Sequence, residues 1–386
     1  MQLSKACWLC LSLSMLLVAA FLTGCGSSPS GVKSPKPVPE LVLVTNYDTN
    51  TGTPYNVSAF TTNSIEGSLT QVSGSPFSVG NAPNSLAVDP AGKFAYVADL
   101  GSFDITVLSI GGNGALAPIS GSPFATGNNP QAITMHKSGR FLYVATVTPG
   151  NPTPGAIWAY SVDASTGAIA PLAQSPFPAG QLPSSITTDR SGMFLYAGDA
   201  AAGQILGYSI DQSTGVLTPI PESPFAAGSF PFAVVSNPAA DYLYVPNEGD
   251  NDISAYAIDS SSGALSQVSG SPFAAGAAPL SAAVSRSGGF LYVTNAQSAN
   301  VSAYTINNSS GVLTEIAGSP FSAGASPLGI AVDTTGSFVY VTDTALGDIL
   351  AYSIGASGAL SPVSGSPFGP TGVEPSAIVV VNLNTN

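Results

Sequence analysis

The chain has 386 residues, only 8% of them charged, with a formal net charge of −13 and a single histidine, His136. An apolar fraction of 44%, with 14 Tyr and 17 Phe, excludes a disordered chain and points to a large packed core, while 42 Gly and 32 Pro call for many turns. Eight basic residues scattered over the whole length exclude the clustered cationic surface that nucleic acid requires.

In chain order, residues 1–24 read as a targeting segment. Lys5 precedes the apolar run "ACWLCLSLSMLLVAAFL", and "LTGC" (Leu22 to Cys25) closes it. That ending resembles the bacterial lipobox, which implies lipidation of Cys25, a membrane anchor, and an exported location in the bacterial cell envelope, facing the periplasm or the surface. Cys7 and Cys10 would leave with the signal, so the mature chain would have one cysteine and no intrachain disulfide. Residues 25–40 carry that cysteine and a Ser/Pro/Gly tether without hydrophobic periodicity; at roughly 3 Å per residue it would hold a domain well above a membrane.

Residues 41–381 are built from one repeated unit, with 382–386 as a tail. Ser-Pro-Phe ends at Phe77, Phe124, Phe177, Phe225, Phe273, Phe321 and Phe368, at spacings of 47 to 53 residues. A second motif, "LVLVTN" at 41, "FAYVAD" at 94 and so on to "FVYVTD" at 338, also occurs seven times. A third begins at Pro83, Pro130, Pro183, Pro231, Pro279, Pro327 and Pro375, each followed by a short apolar run. One unit therefore reads as four short strands: A ("GIAVD"), B ("FVYVTD"), C ("DILAYSI", alternating) and D ("ALSPVSGSPF"), with Gly-bearing turns between A and B and between C and D. Four-stranded units of about 48 residues have the period of propeller blades. The chain starts at strand B and ends at strand A, so the C-terminal strand can complete the blade begun by Leu41 and close the ring. The expected fold is all-β: a seven-bladed β-propeller of four-stranded blades, the C-terminal strand A joining the N-terminal strands B, C and D. The SPF phenylalanines and the strand C tyrosines (Tyr160, Tyr208, Tyr256, Tyr304, Tyr352) are expected to pack between blades.

The "YVTN"-type strands and "TGxLxxVxGSPF" ends resemble the seven-bladed propellers of the lactonase superfamily, which includes 6-phosphogluconolactonase-like enzymes and YVTN-repeat surface proteins. The resemblance runs from 41 to 381 and rests on blade scaffolding, so it implies fold more strongly than activity. It implies that Asn247 and Glu248 match an "NEL" motif of the enzymes. It also implies histidines where this chain has Leu182 and Ser184, and an Arg-His pair where it has Phe232 and Ala233, so the acid-base histidine and the anion-binding cation are replaced.

In a propeller the B–C and D–A connections share one face, the top. All five basic residues of the repeat region (Lys93, Lys137, Arg140, Arg190, Arg286) and His136 fall in A–B turns on the opposite face, where His136 is expected to be structural. The B–C connections carry Asp48, Asp99, Asp104, Asp199, Glu248, Asp250, Asp252, Asp343 and Asp348, which predicts an acidic top rim. Two B–C connections, "YDTNTGTPYN" and "TVTPGNPTPGA", are longer than the rest, and insertions of repeat proteins gather on the functional face. "NEGDND" (Asn247 to Asp252) is the chief candidate: Glu248 with Asn247 as general base, or Glu248, Asp250 and Asp252 as oxygen ligands for Ca²⁺, the one cofactor considered and not a required one. Two readings follow. A monomeric binding module would take a protein, glycan or small molecule on a top face formed by Asp99, Asp104, Asp199, Asp250, Asp252, Asp343 and Asp348. A hydrolase would open a sugar lactone or related ester with Glu248 at the channel mouth.

Overall fold

The computed structural model describes residues 39–47, 55–148, 154–369, 371–372 and 374–383. The signal segment, Cys25, the tether up to residue 38, Asp48 and the middles of both long B–C connections lie outside the described residues; Glu40, expected in the tether, opens strand B. Among the described residues every regular element is a β-strand. They form seven antiparallel sheets, each in the order A-B-C-D that the repeat predicts. Blade 1 is closed by the chain ends: strand A, Pro375–Asn382, pairs with strand B, Glu40–Asn46, in the register Leu41↔Val381 and Leu43↔Val379. Glu40, buried at this join, accepts hydrogen bonds from the backbone N–H (2.9 Å) and the hydroxyl of Thr334 in blade 7. Burial raises its pKa.

Strand D is not continuous. In blade 1 it runs as Leu69–Gln71 and Phe77–Ser78, both paired with strand C, Asn56–Thr62. The chain turns out of the ladder around the cis Ser75–Pro76 bond, and the serine replaces what the turn removes: the Ala59 N–H donates to Ser75 Oγ at 2.9 Å, while the Ala59 carbonyl accepts from the Val72 N–H at 2.9 Å. The same serine bond recurs in all seven blades, as at Ser223 and Ser271. The proline stands where the outer edge has no ladder donor to lose.

There is no central core. The buried apolar residues fall into seven clusters, each between two adjacent blades, and each SPF phenylalanine packs into the seam with the next blade. Six seams share a polar tie that the sequence reading did not anticipate. The strand B tyrosines Tyr96, Tyr143, Tyr196, Tyr244, Tyr292 and Tyr340 are fully buried, and each hydroxyl donates to the carbonyl of a glycine in the C–D turn of the next blade, as Tyr196 does to Gly263 at 2.7 Å. That glycine has φ +76° and lies under Phe194, where a Cβ would sit 2.4 Å from the ring; both demands exclude other residues. Four strand C tyrosines, Tyr208, Tyr256, Tyr304 and Tyr352, tie the seams further out, as Tyr256 does to the Ala226 carbonyl at 2.6 Å, while the Tyr160 hydroxyl is buried without a partner.

Tyr196→Phe keeps the packing and leaves the Gly263 carbonyl buried without its donor. It is expected to cost about 1–3 kcal/mol. Urea titration of the two proteins checks this; an unchanged midpoint would mean that water replaces the hydroxyl.

Candidate functional site

Strand A lines the central channel, and its first residue is a proline that cannot complete the ladder to strand B. The register slips directly after it, between Pro83 and Ser85, Pro130 and Ala132, Pro183 and Ser185, Pro279 and Ser281, and Pro327 and Ile330. A bulge re-aims the extra side chain. The bulged residues line a cavity of about 300 Å³ at the top of the channel. Blade 5 reaches the same result with a shorter strand A, Val235–Ser236, preceded by a single bridge from Pro231 to Asn247.

Around this mouth the residue after the proline is Ser376, Asn84, Gln131 and Ser184 in blades 1 to 4, then Phe232, Leu280 and Leu328 in blades 5 to 7. The mouth is polar on one side and apolar on the other, and every residue lining it is neutral. Several of its hydroxyl and amide donors are already engaged across the seams. Ser376 Oγ donates to the Pro83 carbonyl (3.1 Å), Asn84 Nδ2 to the Gln131 carbonyl (2.8 Å) and Ser184 Oγ to the Pro231 carbonyl (2.7 Å). The Gln131 carboxamide makes no such bond and faces the cavity with both donor and acceptor free.

The positions expected to differ from the enzymes lie here: Leu182, Ser184, Phe232 and Ala233 all line the mouth. Glu248 does not. It is half-buried beside the mouth, its N–H donating to the Phe230 carbonyl at 2.9 Å. Asn247 is fully buried, and its Nδ2 donates to Asp252 Oδ1 (2.6 Å) and Ser254 Oγ (2.9 Å), which makes it a staple between strands B and C rather than a group offered to a substrate.

The acidic rim needs the same correction. Asp99, Asp199 and Asp343 occupy the Asn247 position in their own blades and are buried, with 0%, 2% and 0% of their surface exposed. Asp199 accepts from the N–H groups of Gln181 and Leu182 (2.8 and 2.9 Å), and Asp343 from Ala325 and Ser326 (2.6 and 3.0 Å). These carboxylates hold the D–A loop instead of facing solvent. The choice follows strand C: where that strand offers Ser58, Ser254 or Ser302, strand B ends in Asn46, Asn247 or Asn295, which donates to it. Where it offers Leu206 or Leu350, strand B ends in an aspartate that turns to loop amides. Asp104, Asp250, Asp252 and Asp348 remain nearer the surface, Asp250 accepting from the Ser229 N–H (2.6 Å) and Asp104 from Ser102 Oγ (2.9 Å). Burial raises the pKa of Asp252 and Asp348. Among the described residues no three His, Cys, Asp or Glu converge on a point a metal ion could occupy, so Glu248, Asp250 and Asp252 are not assembled as a Ca²⁺ site. His136 is buried, with Nε2 2.8 Å from the Gly192 carbonyl and Nδ1 2.7 Å from Ser138 Oγ, a link between adjacent bottom turns.

Sequence reasoning missed Glu374. It precedes the blade 1 strand A proline and lines a second cavity, about 470 Å³, with Tyr47, Ser326, Thr344 and Ala345, joined to the channel mouth through Asn84, Leu328 and Ser376. The signal in the sequence is its place immediately before a strand A proline.

The family model for the lactonase seven-bladed β-propeller matches residues 116–235 and 219–323. The chain belongs to this family. Among solved structures, the lactonase-family propeller is similar to a candidate 6-phosphogluconolactonase of Bacteroides uniformis and another of Bacteroides fragilis. Each is 18% identical with a TM-score of 0.74, over 89% of this chain and 99% and 98% of theirs. It is also similar to the periplasmic gluconolactonase of Pseudomonas aeruginosa (18% identity, TM-score 0.72, 89% and 99% coverage). No curated protein matches it.

Asp99 differs from its sister aspartates. Its Oδ2 accepts from the Thr106 N–H and hydroxyl (3.1 and 2.6 Å), Oδ1 has no partner, and burial, reinforced by Asp104, holds its pKa well above the usual 3.8. A carboxyl raised in the folded state gives its full stabilisation below the ordinary pKa and loses it as pH rises toward the folded value. Asp99→Asn copies the Asn247–Asp252–Ser254 arrangement onto Asp104 and Thr106. It is expected to fold and to flatten the fall in melting temperature between mildly acidic and mildly alkaline pH; parallel slopes for the two proteins would refute the assignment.

Proposed function

We propose that this lactonase-family propeller is an exported, lipid-anchored binding module whose channel mouth takes an uncharged, hydroxyl-rich ring, such as a neutral sugar or sugar lactone. The carrying observation is the mouth itself: neutral throughout, hydroxyls and amides from blades 1 to 4 on one side and Phe232, Leu280 and Leu328 on the other. Such a ring has polar edges for Gln131 and Asn84 and a C–H face for Phe232, and a cavity of about 300 Å³ is at the small end of ligand sites. The resemblance to a protein named periplasmic gluconolactonase supports both the compartment and the ligand class, and the lipobox-like "LTGC" supports the anchor.

Hydrolysis of a lactone needs a group that activates water within reach of the carbonyl. The mouth's own lining offers none, Glu248 stands outside it and Glu374 lies in the adjoining cavity, which favours binding without turnover.

Titration calorimetry with neutral monosaccharides and their lactones is expected to give millimolar or tighter binding. Gln131→Ala and Phe232→Ala should each weaken it by about tenfold, the loss of one hydrogen bond or one ring contact. No lactone of the panel should turn over. Turnover abolished by Glu248→Ala would establish the hydrolase instead, and absence of any binding would remove the neutral-ring reading. Cys25→Ser is expected to move the protein from the membrane to the soluble fraction.

A further inference from the structure

The second cavity, between blades 7, 1 and 2, has a different chemistry from the mouth it adjoins. Three of its polar side chains already have a donor engaged, while the Tyr47 and Ser326 hydroxyls bond to no described residue. Thr344 Oγ1 donates to the Ser326 carbonyl at 3.0 Å, Asn84 Nδ2 to the Gln131 carbonyl at 2.8 Å, and Ser376 Oγ to the Pro83 carbonyl at 3.1 Å. Acceptors are in excess: Asn84 Oδ1, the lone pairs of the hydroxyls, and the Glu374 carboxylate, which accepts no hydrogen bond from any described residue. Glu374 is held in a left-handed conformation, φ +52°, with its carbonyl accepting from the Tyr47 N–H at 3.0 Å, so the carboxylate and the Tyr47 ring belong to neighbouring positions on one wall. The equivalent position before the strand A proline is Ala82, Asn129, Leu182, Phe230, Ala278 or Ser326 in the other blades, and Glu374 is the one ionisable member of that ring.

A cavity with free acceptors, a carboxylate that no described residue pairs and an aromatic ring suits a group that donates and carries positive charge. An ammonium has three donors and no acceptor, and it is attracted to both an anion and a π face. We propose that this cavity is a second subsite, that it recognises a primary ammonium through Glu374 and Tyr47, and that with the neutral mouth it accommodates an amine-bearing, hydroxyl-rich molecule. The hydroxylated part of that ligand rests on the reading proposed above for the mouth; the ammonium subsite stands without it. The two cavities share Asn84, Leu328 and Ser376, so one ligand can span them.

The probes are glucosamine, glucose and putrescine, titrated into the purified protein. Glucosamine is expected to bind at least tenfold tighter than glucose, with an advantage that shrinks as salt is raised, since screening acts on the charged contact alone. Glu374→Gln should remove the advantage and leave glucose binding unchanged, and Tyr47→Ala should reduce it. Glu248→Gln takes an equal charge from outside both cavities and should leave the advantage intact, separating a local site from general attraction to a chain of net charge −13. Equal affinity for glucosamine and glucose in the wild-type protein would overturn the proposal whatever the variants do. So would an advantage that Glu374→Gln fails to reduce, or one that Glu248→Gln reduces as much. Putrescine binding that depends on Glu374 while neither sugar binds would uphold the ammonium subsite and overturn the neutral-ring reading of the mouth.

Discussion

The hydroxyl of a strand B tyrosine reaching across a seam to a glycine carbonyl is the contact on which this propeller turns. A blade of four short strands has two apolar faces and no interior of its own, so it is stable only when both faces meet other blades. Apolar packing alone would let the sheets slide. A buried hydroxyl that must find its one acceptor sets the rotation of each blade against the next, because a displaced donor would be buried without a partner. Glycine is required at the receiving end twice over, for its left-handed φ and for the absence of a Cβ beneath the phenylalanine of the neighbouring strand B. The seam between blades 1 and 2 lacks the tie, since Leu43 stands in the tyrosine position; there the polar link is Ser376 Oγ donating to the Pro83 carbonyl at 3.1 Å.

The same demand for satisfied polar groups accounts for the top face. The connections between strands leave loop N–H groups that must be paired, and the last residue of strand B supplies the partner. Asp199 and Asp343 are drawn inward by loop amides and Asp99 by the strand C Thr106; an asparagine is drawn toward a strand C serine. Either way the side chain leaves the rim. Charge counted along a loop thus overstates charge presented to a ligand, and Asp99, Asp199 and Asp343 show by how much.

Fold was legible in the sequence because repetition is a global signal: seven copies of three motifs fix strand order, blade number and ring closure without any single residue mattering. The strand D interruption was not legible, since its determinant is the serine oxygen replacing a ladder acceptor, a contact between residues 16 apart. Nor were the seam tyrosines, whose acceptors lie about 70 residues away in another blade. At the site, Leu182, Ser184, Phe232 and Ala233 stood out only through the family resemblance, and the structure places them in the lining of the mouth. Glu248 has suitable chemistry on a B–C connection, yet the lining comes chiefly from residues around each strand A proline, with Ala200 the B–C residue among them.

Function in such a ring must come from departures from the repeat, and the proline bulge shows where a departure has an effect. It delivers one side chain per blade to the channel while the rest of strand A pairs as usual, so that position can vary without cost to the sheet. In this chain the variation is ordered, with four polar residues in consecutive blades and then three apolar ones, which random drift around a ring would not favour. The hydroxyls and amides of the polar arc also tie one blade to the next, which holds the mouth in shape before a ligand arrives and lowers the entropy lost on binding. Gln131 is the polar member that takes no part in that bracing, and Glu374, one position before the bulge in blade 1, is the carboxylate in the adjoining cavity that no described residue neutralises. An unpaired polar group that faces a cavity is a place where a ligand's own polar groups can gain a partner by binding.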